Sequence, residues 1–223
     1  LQQCLRELTA TSYKGHVSLH GYDKSAISTC IARFCLDGPV RDALSPDLDA
    51  NAHIRRVDSL TTDPWASAHL ILMNPPFISR DYLAPEEIAS VNAVLGDDLA
   101  KGRVDMAMAF IWKAVQSVLP GGVVATVLPT GLLESQGGRA WRDAIAQVCD
   151  VLLVGRFEGY KYFTTSIIET GFAVFRKRVA TNAQAPRPDV SLIISQEGKE
   201  DAAVRFLRLR QQGIDRQVDG VDL

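Results

Sequence analysis

Short apolar runs alternate with stretches of helical spacing along most of the chain. Residues 1–9 suit a helix, His16 to Gly21 a strand closing at Tyr22-Asp23, and Ser25 to about Leu36 a helix packed on a sheet. His53 to Val57 is a short strand ending at Asp58, and His69-Leu70-Ile71-Leu72-Met73 is another, ending at Asn74. From Asp105 to Leu119 the apolar residues Met106, Ala109, Phe110, Trp112, Ala114, Val115 and Val118 recur at helical spacing, and Pro120-Gly121-Gly122 stops them. Val123 to Leu128 is a continuous apolar run, which predicts a fully buried strand. A helix over Gly138–Gln147 and two closing strands, Val151–Val154 and Gly171–Phe175, complete the alternation. Such an order predicts an α/β fold with a doubly wound, mostly parallel sheet.

Breaks in the pattern divide the chain. Asp81 to Ala100 is polar and carries Pro85-Glu86-Glu87, which suits a mobile lid of short helices. Residues 179–188 hold Ala, Asn, Gln and two prolines and read as a linker. The expected organisation is a catalytic core over 1–178, this linker, and the start of a further domain over 189–223. That last part would hold a strand from Val190 to Ile194 and a basic helix from Ala202 to Gln211.

Composition narrows the class. The chain has 223 residues, 47% of them hydrophobic and 22% charged, enough to bury one sizeable core. A net charge of -2 gives no global basic field, so affinity for a polynucleotide must come from a local patch or from another domain. No apolar run approaches the ~20 residues needed to span a bilayer, and the opening residues lack a signal-peptide layout, so a cytoplasmic place is expected. Cys4, Cys30, Cys35 and Cys149 are too scattered for a disulfide framework or a zinc site and read as reduced thiols. His16, His20, His53 and His69 lack metal-ligand spacing and read as satisfied or exposed.

The chemistry concentrates at Asn74-Pro75-Pro76-Phe77. In an open parallel sheet, residues directly after a strand face the crevice where ligands bind. Two prolines fix the backbone there and remove two N–H donors, leaving the carbonyls of Asn74 and Pro75 and the side-chain oxygen of Asn74 as an acceptor-rich corner. Beside an aromatic face, that corner suits an exocyclic amine on a stacked ring. A turn that merely stops the strand, with Phe77 folded onto the core, is the plainer alternative. Asp23 ends a strand ahead of a helix, where an acid can accept ribose hydroxyls or cap the helix.

The tetrapeptide resembles the catalytic motif of amino-methyltransferases that use S-adenosylmethionine, the adenine-N6 DNA methyltransferases in particular. The stretch Asp105 to Ile111, then Leu119-Pro120-Gly121-Gly122 and Val127-Leu128-Pro129-Thr130-Gly131-Leu132-Leu133, is similar to the order in type I and type IIG enzymes of restriction-modification systems. Tyr160-Lys161-Tyr162-Phe163 ahead of Ile167-Ile168-Glu169-Thr170 resembles the segment before their final hairpin. The resemblance covers roughly Gly15 to Lys177, with the tetrapeptide its only specific part. It implies a Rossmann-like sheet with an antiparallel final hairpin, S-adenosylmethionine as cofactor, and double-stranded DNA as substrate through the full-length protein. A specificity or restriction subunit would be a further partner. It further implies catalytic roles for Asn74, Pro75 and Phe77, cofactor contacts at Asp23, Asp58 and Asn74, and target contacts at Pro76, Phe77, Tyr160 and Lys161. Asp58 would receive the cofactor's adenine amine, although a turn aspartate reads the same way.

One departure stands out: nothing before Gly21 resembles the family's glycine-rich loop. The chain therefore reads as a fragment that begins in the helix after that loop, with the first strand missing and no activity expected of the fragment alone. RNA guanine-N2 and protein glutamine methyltransferases share the Asn-Pro-Pro-aromatic logic and remain alternatives. A non-catalytic, methyltransferase-like scaffold module in a restriction or phage-defence complex is an alternative of another class.

Overall fold

A computed structural model of the chain describes residues 2–37, 48–100, 104–158, 169–179, 187–196 and 221–222. It divides into two compact units, Leu1–Ala66 and Ser67–Leu223. In the first, helix α1 (Gln2–Ala10) is followed by strand β1 (Gly15–Asp23), helix α2 (Ala26–Asp37) and strand β2 (Leu48–Arg56). β1 and β2 pair in parallel from Gly15 opposite Leu48 to Asp23 opposite Arg56. Strand alternation then sorts the two faces. Val17, Leu19, Ala50, Ala52, Leu48 and Ile54 pack with Leu5 and Leu8 of α1 and with Ala32 and Leu36 of α2 into one apolar cluster. On the opposite face the register sets His16 against Asp49, His20 against His53 and Tyr22 against Arg55.

The second unit runs β3 (Ala68–Met73), α3 (Pro85–Leu99), α4 (Met106–Ser117), β4 (Val118–Pro129), α5 (Thr130–Glu134), α6 (Arg139–Val148), β5 (Cys149–Glu158), β6 (Thr170–Lys177), β7 (Ser191–Gln196) and β8 (Val221–Asp222). The strands form one mixed sheet in the order β3-β4-β6-β5-β7-β8. β3 and β4 are parallel, β6 runs antiparallel between β4 and β5, and β7 is parallel to β5. The centre of this unit is α4, whose Met106, Ala107, Met108, Ala109, Ile111, Ala114 and Val115 are buried, as a helix apolar on nearly every side must be. It packs on β4 and on α6, where Trp141 is 1% exposed and its indole N–H donates to the Met108 carbonyl at 3.1 Å. That bond satisfies a polar atom that burial would otherwise strand.

Most expected elements are found within a few residues, with several differences. The first unit holds the two-stranded sheet β1-β2 and the second the six-stranded mixed sheet. β2 begins at Leu48, not His53, because Leu48, Ala50, Ala52 and Ile54 alternate inward while the polar residues between them face out. The polar region beginning near Asp81 holds a short 3-10 turn, Arg80–Tyr82, and then α3, which is interrupted at Gly96 (φ 69°) and anchored by buried Val91 and Leu95. Ser191–Gln196, expected to open a further domain, instead hydrogen-bonds to β5 as a strand of the same sheet. The basic helix expected over Ala202–Gln211 lies outside the described residues.

β4 also starts before Pro120-Gly121-Gly122 and runs through it, with the register against β3 shifting between Ala68 and Leu70. Only one of its faces is fully covered: Val124, Thr126 and Leu128 are buried, while Val123, Ala125 and Val127 are half-buried. Gly121 adopts a left-handed φ of 81° at the irregularity. A Cβ on Gly122 would come within 2.8 Å of Val118 Cγ2 and 2.9 Å of the His69 carbonyl. Gly122→Ala is therefore expected to destabilise the fold by about 1–3 kcal/mol. Gly131→Ala, in α5 with nothing within 4 Å of its Cβ, should instead stabilise by roughly 0.5–1 kcal/mol. Urea denaturation of both variants checks this close approach of β3 to β4; equal stabilities would contradict it.

Candidate active site

β3 ends at Met73, opposite Thr126 of β4. The next two residues that could extend its ladder after Asn74 are prolines, which have no N–H to give. Asn74 and Pro76 are exposed, Pro75 is buried and Phe77 is half-buried. The buried ring of Pro75 anchors the corner while leaving the Asn74 amide in solvent, and that amide makes no hydrogen bond to another described residue.

At the same end of the sheet, Thr130 follows β4 and binds the Glu169 carbonyl twice, through its amide at 3.0 Å and its hydroxyl at 2.9 Å. This fixes the start of β6 next to the end of β4. Glu158, the last residue of β5, is at that end too, because β5 and β4 both run antiparallel to β6. Tyr160 and Lys161, the expected target-side residues, lie outside the described residues.

Beyond the tetrapeptide the chain is caught by an antiparallel bridge between Ser79 and Asp105. Met106 N–H donates to the Ile78 carbonyl at 2.9 Å, and Arg80 N–H to the Val104 carbonyl at 3.0 Å. Asp105 caps α4, its Oδ1 accepting from Ala107 N–H at 2.8 Å. Burial pushes its carboxyl up to about 6, with the Ala107 bond opposing that shift. The sequence marked this aspartate only as the first residue of a helical stretch; an acid just before an apolar run was the usable signal. Ile78 and Ser79 carry no such signal.

The two expected cofactor acids both belong to the first unit. Asp23 and Asp58 follow neighbouring parallel strands at the same end, joined by a bond from Val57 N–H to the Asp23 carbonyl at 3.0 Å. Both are exposed. Each commits one oxygen locally: Asp23 Oδ1 accepts from Ser25 N–H at 2.7 Å, and Asp58 Oδ1 from Leu60 N–H at 2.8 Å. Their second carboxylate oxygens have no partner among the described residues. Ser25, not Asp23, caps α2, through its hydroxyl to Ser28 N–H at 3.2 Å. The turn role thus leaves each acid one further acceptor oxygen.

The histidines are engaged or exposed. His16 Nδ1 lies 2.9 Å from Asp49 Oδ2, and His20 contacts Ser18 at 3.0 Å and stacks on His53 at 5.0 Å between ring centroids. Desolvation, then the neighbouring His53, lowers the pKa of His20. Among the described residues no helix is long and apolar enough to cross a membrane.

The family model for the N-6 DNA methylases matches residues 6–222. The chain belongs to that family. A type II methyltransferase, M.BanIII of Aneurinibacillus aneurinilyticus, is 23% identical over 126 residues, 56% of this chain and 21% of the relative. The methyltransferase subunit of a type I restriction-modification system from Streptococcus thermophilus superposes with a TM-score of 0.59 at 15% identity, covering 97% of this chain and 53% of that one. The type IIG restriction endonuclease BpuSI gives a TM-score of 0.60 at 15% identity, covering 92% of this chain and 27% of that one. These likenesses establish the fold, which is shared with a Listeria monocytogenes protein assigned to the class I S-adenosylmethionine-dependent methyltransferases (TM-score 0.58, 13% identity, 92% of this chain and 66% of that one). The chain spans about a fifth of the M.BanIII relative.

Asp105 contributes a defined part of the pH response of this N-6 DNA methylase chain. With a folded pKa near 6 and an ordinary value of 3.8, the folded state holds the proton more tightly. The carboxyl therefore opposes folding in full above about pH 6, and that opposition disappears as pH falls towards 4. Asp105→Asn, which cannot ionise, should be more stable relative to wild type at pH 7 than at pH 4.5. Thermal melting of both proteins across that range tests it, and a pH-independent difference would contradict the burial of this carboxyl.

Proposed function

We propose that this chain is catalytic-core material of a DNA methyltransferase that moves a methyl group from S-adenosylmethionine to adenine N6, as part of a restriction-modification system. The observation that carries the reading is the tetrapeptide at the carboxyl end of β3, with the Asn74 amide exposed and uncommitted and Pro75 buried. Membership of the N-6 DNA methylase family supports it. Asp23 and Asp58 would hold the ribose hydroxyls and the adenine amine of the cofactor, which when bound supplies a methyl group on a sulfonium centre.

The target adenine must leave the duplex to reach such a corner. An amine conjugated to a purine is a weak nucleophile because its lone pair is delocalised. Two acceptors on its hydrogens, the Asn74 side-chain oxygen and the Pro75 carbonyl, favour a pyramidal nitrogen with that pair available. Preorganised dipoles of this kind are worth on the order of 3 kcal/mol each. Phe77 would stack on the flipped ring, with Pro76 beside it, contributing about 1–3 kcal/mol without reading sequence. Tyr160 and Lys161 are proposed target-side contacts. Sequence specificity and any restriction activity belong to other parts of the protein or to a partner subunit, and the cytoplasm is the proposed place of action.

In the intact protein, Asn74→Ala is expected to lower methyl incorporation into DNA by about 100-fold or more, a loss that saturating S-adenosylmethionine does not restore. Unchanged turnover would sink the catalytic role. Asp23→Ala should do the reverse, weakening cofactor binding in calorimetry while saturating cofactor restores the rate. Offering DNA, RNA and a glutamine-bearing peptide side by side identifies the substrate; incorporation into RNA or peptide alone would replace the DNA reading.

A further inference from the structure

The residues Asn74 to Phe77 have no regular structure of their own, so their position depends on what holds the two ends. The upstream end is the ladder, through Met73 opposite Thr126. The downstream end is the Ser79–Asp105 bridge, which grips Ile78, the first residue after Phe77, through Met106 N–H. Met106 is also the first residue of α4. The direction of its N–H is therefore set by how that first turn is wound.

Three contacts wind the turn, and all involve Asp105. Its Oδ1 accepts from Ala107 N–H at 2.8 Å, its carbonyl accepts from Met108 N–H at 3.0 Å, and its own N–H approaches Met108 Sδ at 3.5 Å. The rest of α4 is held on nearly every side by the core, so the turn is referenced to closely packed structure.

We propose that Asp105 is a positioning residue for methyl transfer: its carboxylate winds the first turn of α4, and that turn holds Ile78 and thereby the spacing of Asn74 and Phe77 around the target amine. The proposal rests on the methyl-transfer reading above. Asp105 itself touches no substrate; it acts through Ala107 N–H and then the bond from Met106 N–H to Ile78. Either protonation state of the carboxyl keeps an oxygen towards Ala107, and an asparagine would do the same. A small displacement of reacting groups is enough to matter, since about 1 Å of misplacement can lower a rate by on the order of 100-fold.

The test uses the intact protein, DNA and S-adenosylmethionine, with kcat and both KM values measured well below the melting temperature. Asp105→Ala is expected to lower kcat by roughly 10- to 100-fold, with KM for S-adenosylmethionine within about twofold of wild type. Asp105→Asn should recover most of the rate, because it restores the acceptor. Ile145→Val, a core change on α6 that also lowers stability, should leave kcat within about threefold and so separates positioning from general loosening. If Asp105→Ala does not fold, Asp105→Gly replaces it, since helix caps tolerate glycine. Full kcat in the Ala or Gly variant, or an equal loss in Ile145→Val, overturns the proposal. Asn74→Ala is measured alongside: an inactive Asn74→Ala with a fully active Asp105→Ala overturns the positioning role alone, whereas an active Asn74→Ala overturns the methyl-transfer reading beneath it.

Discussion

A proline cannot donate to a β-ladder, and two of them in succession end a strand at a defined place. β3 stops at Met73 for that reason, and its partner β4 carries on past the same level to Pro129. The corner that results is short of donors and rich in acceptors, and its one flexible side chain, Asn74, is left in solvent. Everything proposed for the second unit follows from this stop: the amine as the group recognised, Phe77 as the stacking surface, and Pro75 as the buried anchor that keeps the corner from relaxing onto the core.

A corner built from irregular backbone needs an outside reference, and the core provides it. α4 is buried along most of its length, holds Trp141 through the Met108 carbonyl, and presents its first N–H groups to Asp105 and Ile78. The half-buried Asp105 carboxyl is costly to ionise there, yet it caps the helix that the bridge depends on. Stability and site geometry therefore meet in one residue. Thr130 makes a similar connection on the other side of β4, tying the start of β6 through two bonds to one carbonyl.

The first unit handles its polar groups differently. Its parallel pair buries one face and leaves the other lined by His16, Asp49, His20, His53, Tyr22 and Arg55. At the carboxyl end, Asp23 and Asp58 each spend one oxygen on an adjacent backbone N–H. The local bond holds the carboxylate in place, and the second oxygen stays available to a ligand. A turn-forming aspartate and the ligand-binding aspartate proposed above can therefore be one and the same arrangement.

Local rules made much of this legible. Alternating apolar runs located β1, β3 and β6, helical spacing located α2 and α4, and the proline pair after Met73 marked the end of β3, because each depends on residues close together in the chain. Long-range pairing decided the rest. The strand expected from His53 begins at Leu48 because β1 lies beside it and separates its inward from its outward residues. Pro120-Gly121-Gly122 looks like a break, but pairing with β3 carries the strand through it as an irregularity that only glycine accommodates. Ser191–Gln196 joins the sheet because β5 offers it a free edge. The bridge of Ser79 to Asp105 spans residues far apart in the chain, so no periodicity could announce it. Sequence alone determined where β3 stops and which polar groups follow it, since strand ends and prolines act locally; tertiary structure decided what holds them still, since hydrogen bonds between distant segments exist only once the core has brought those segments together.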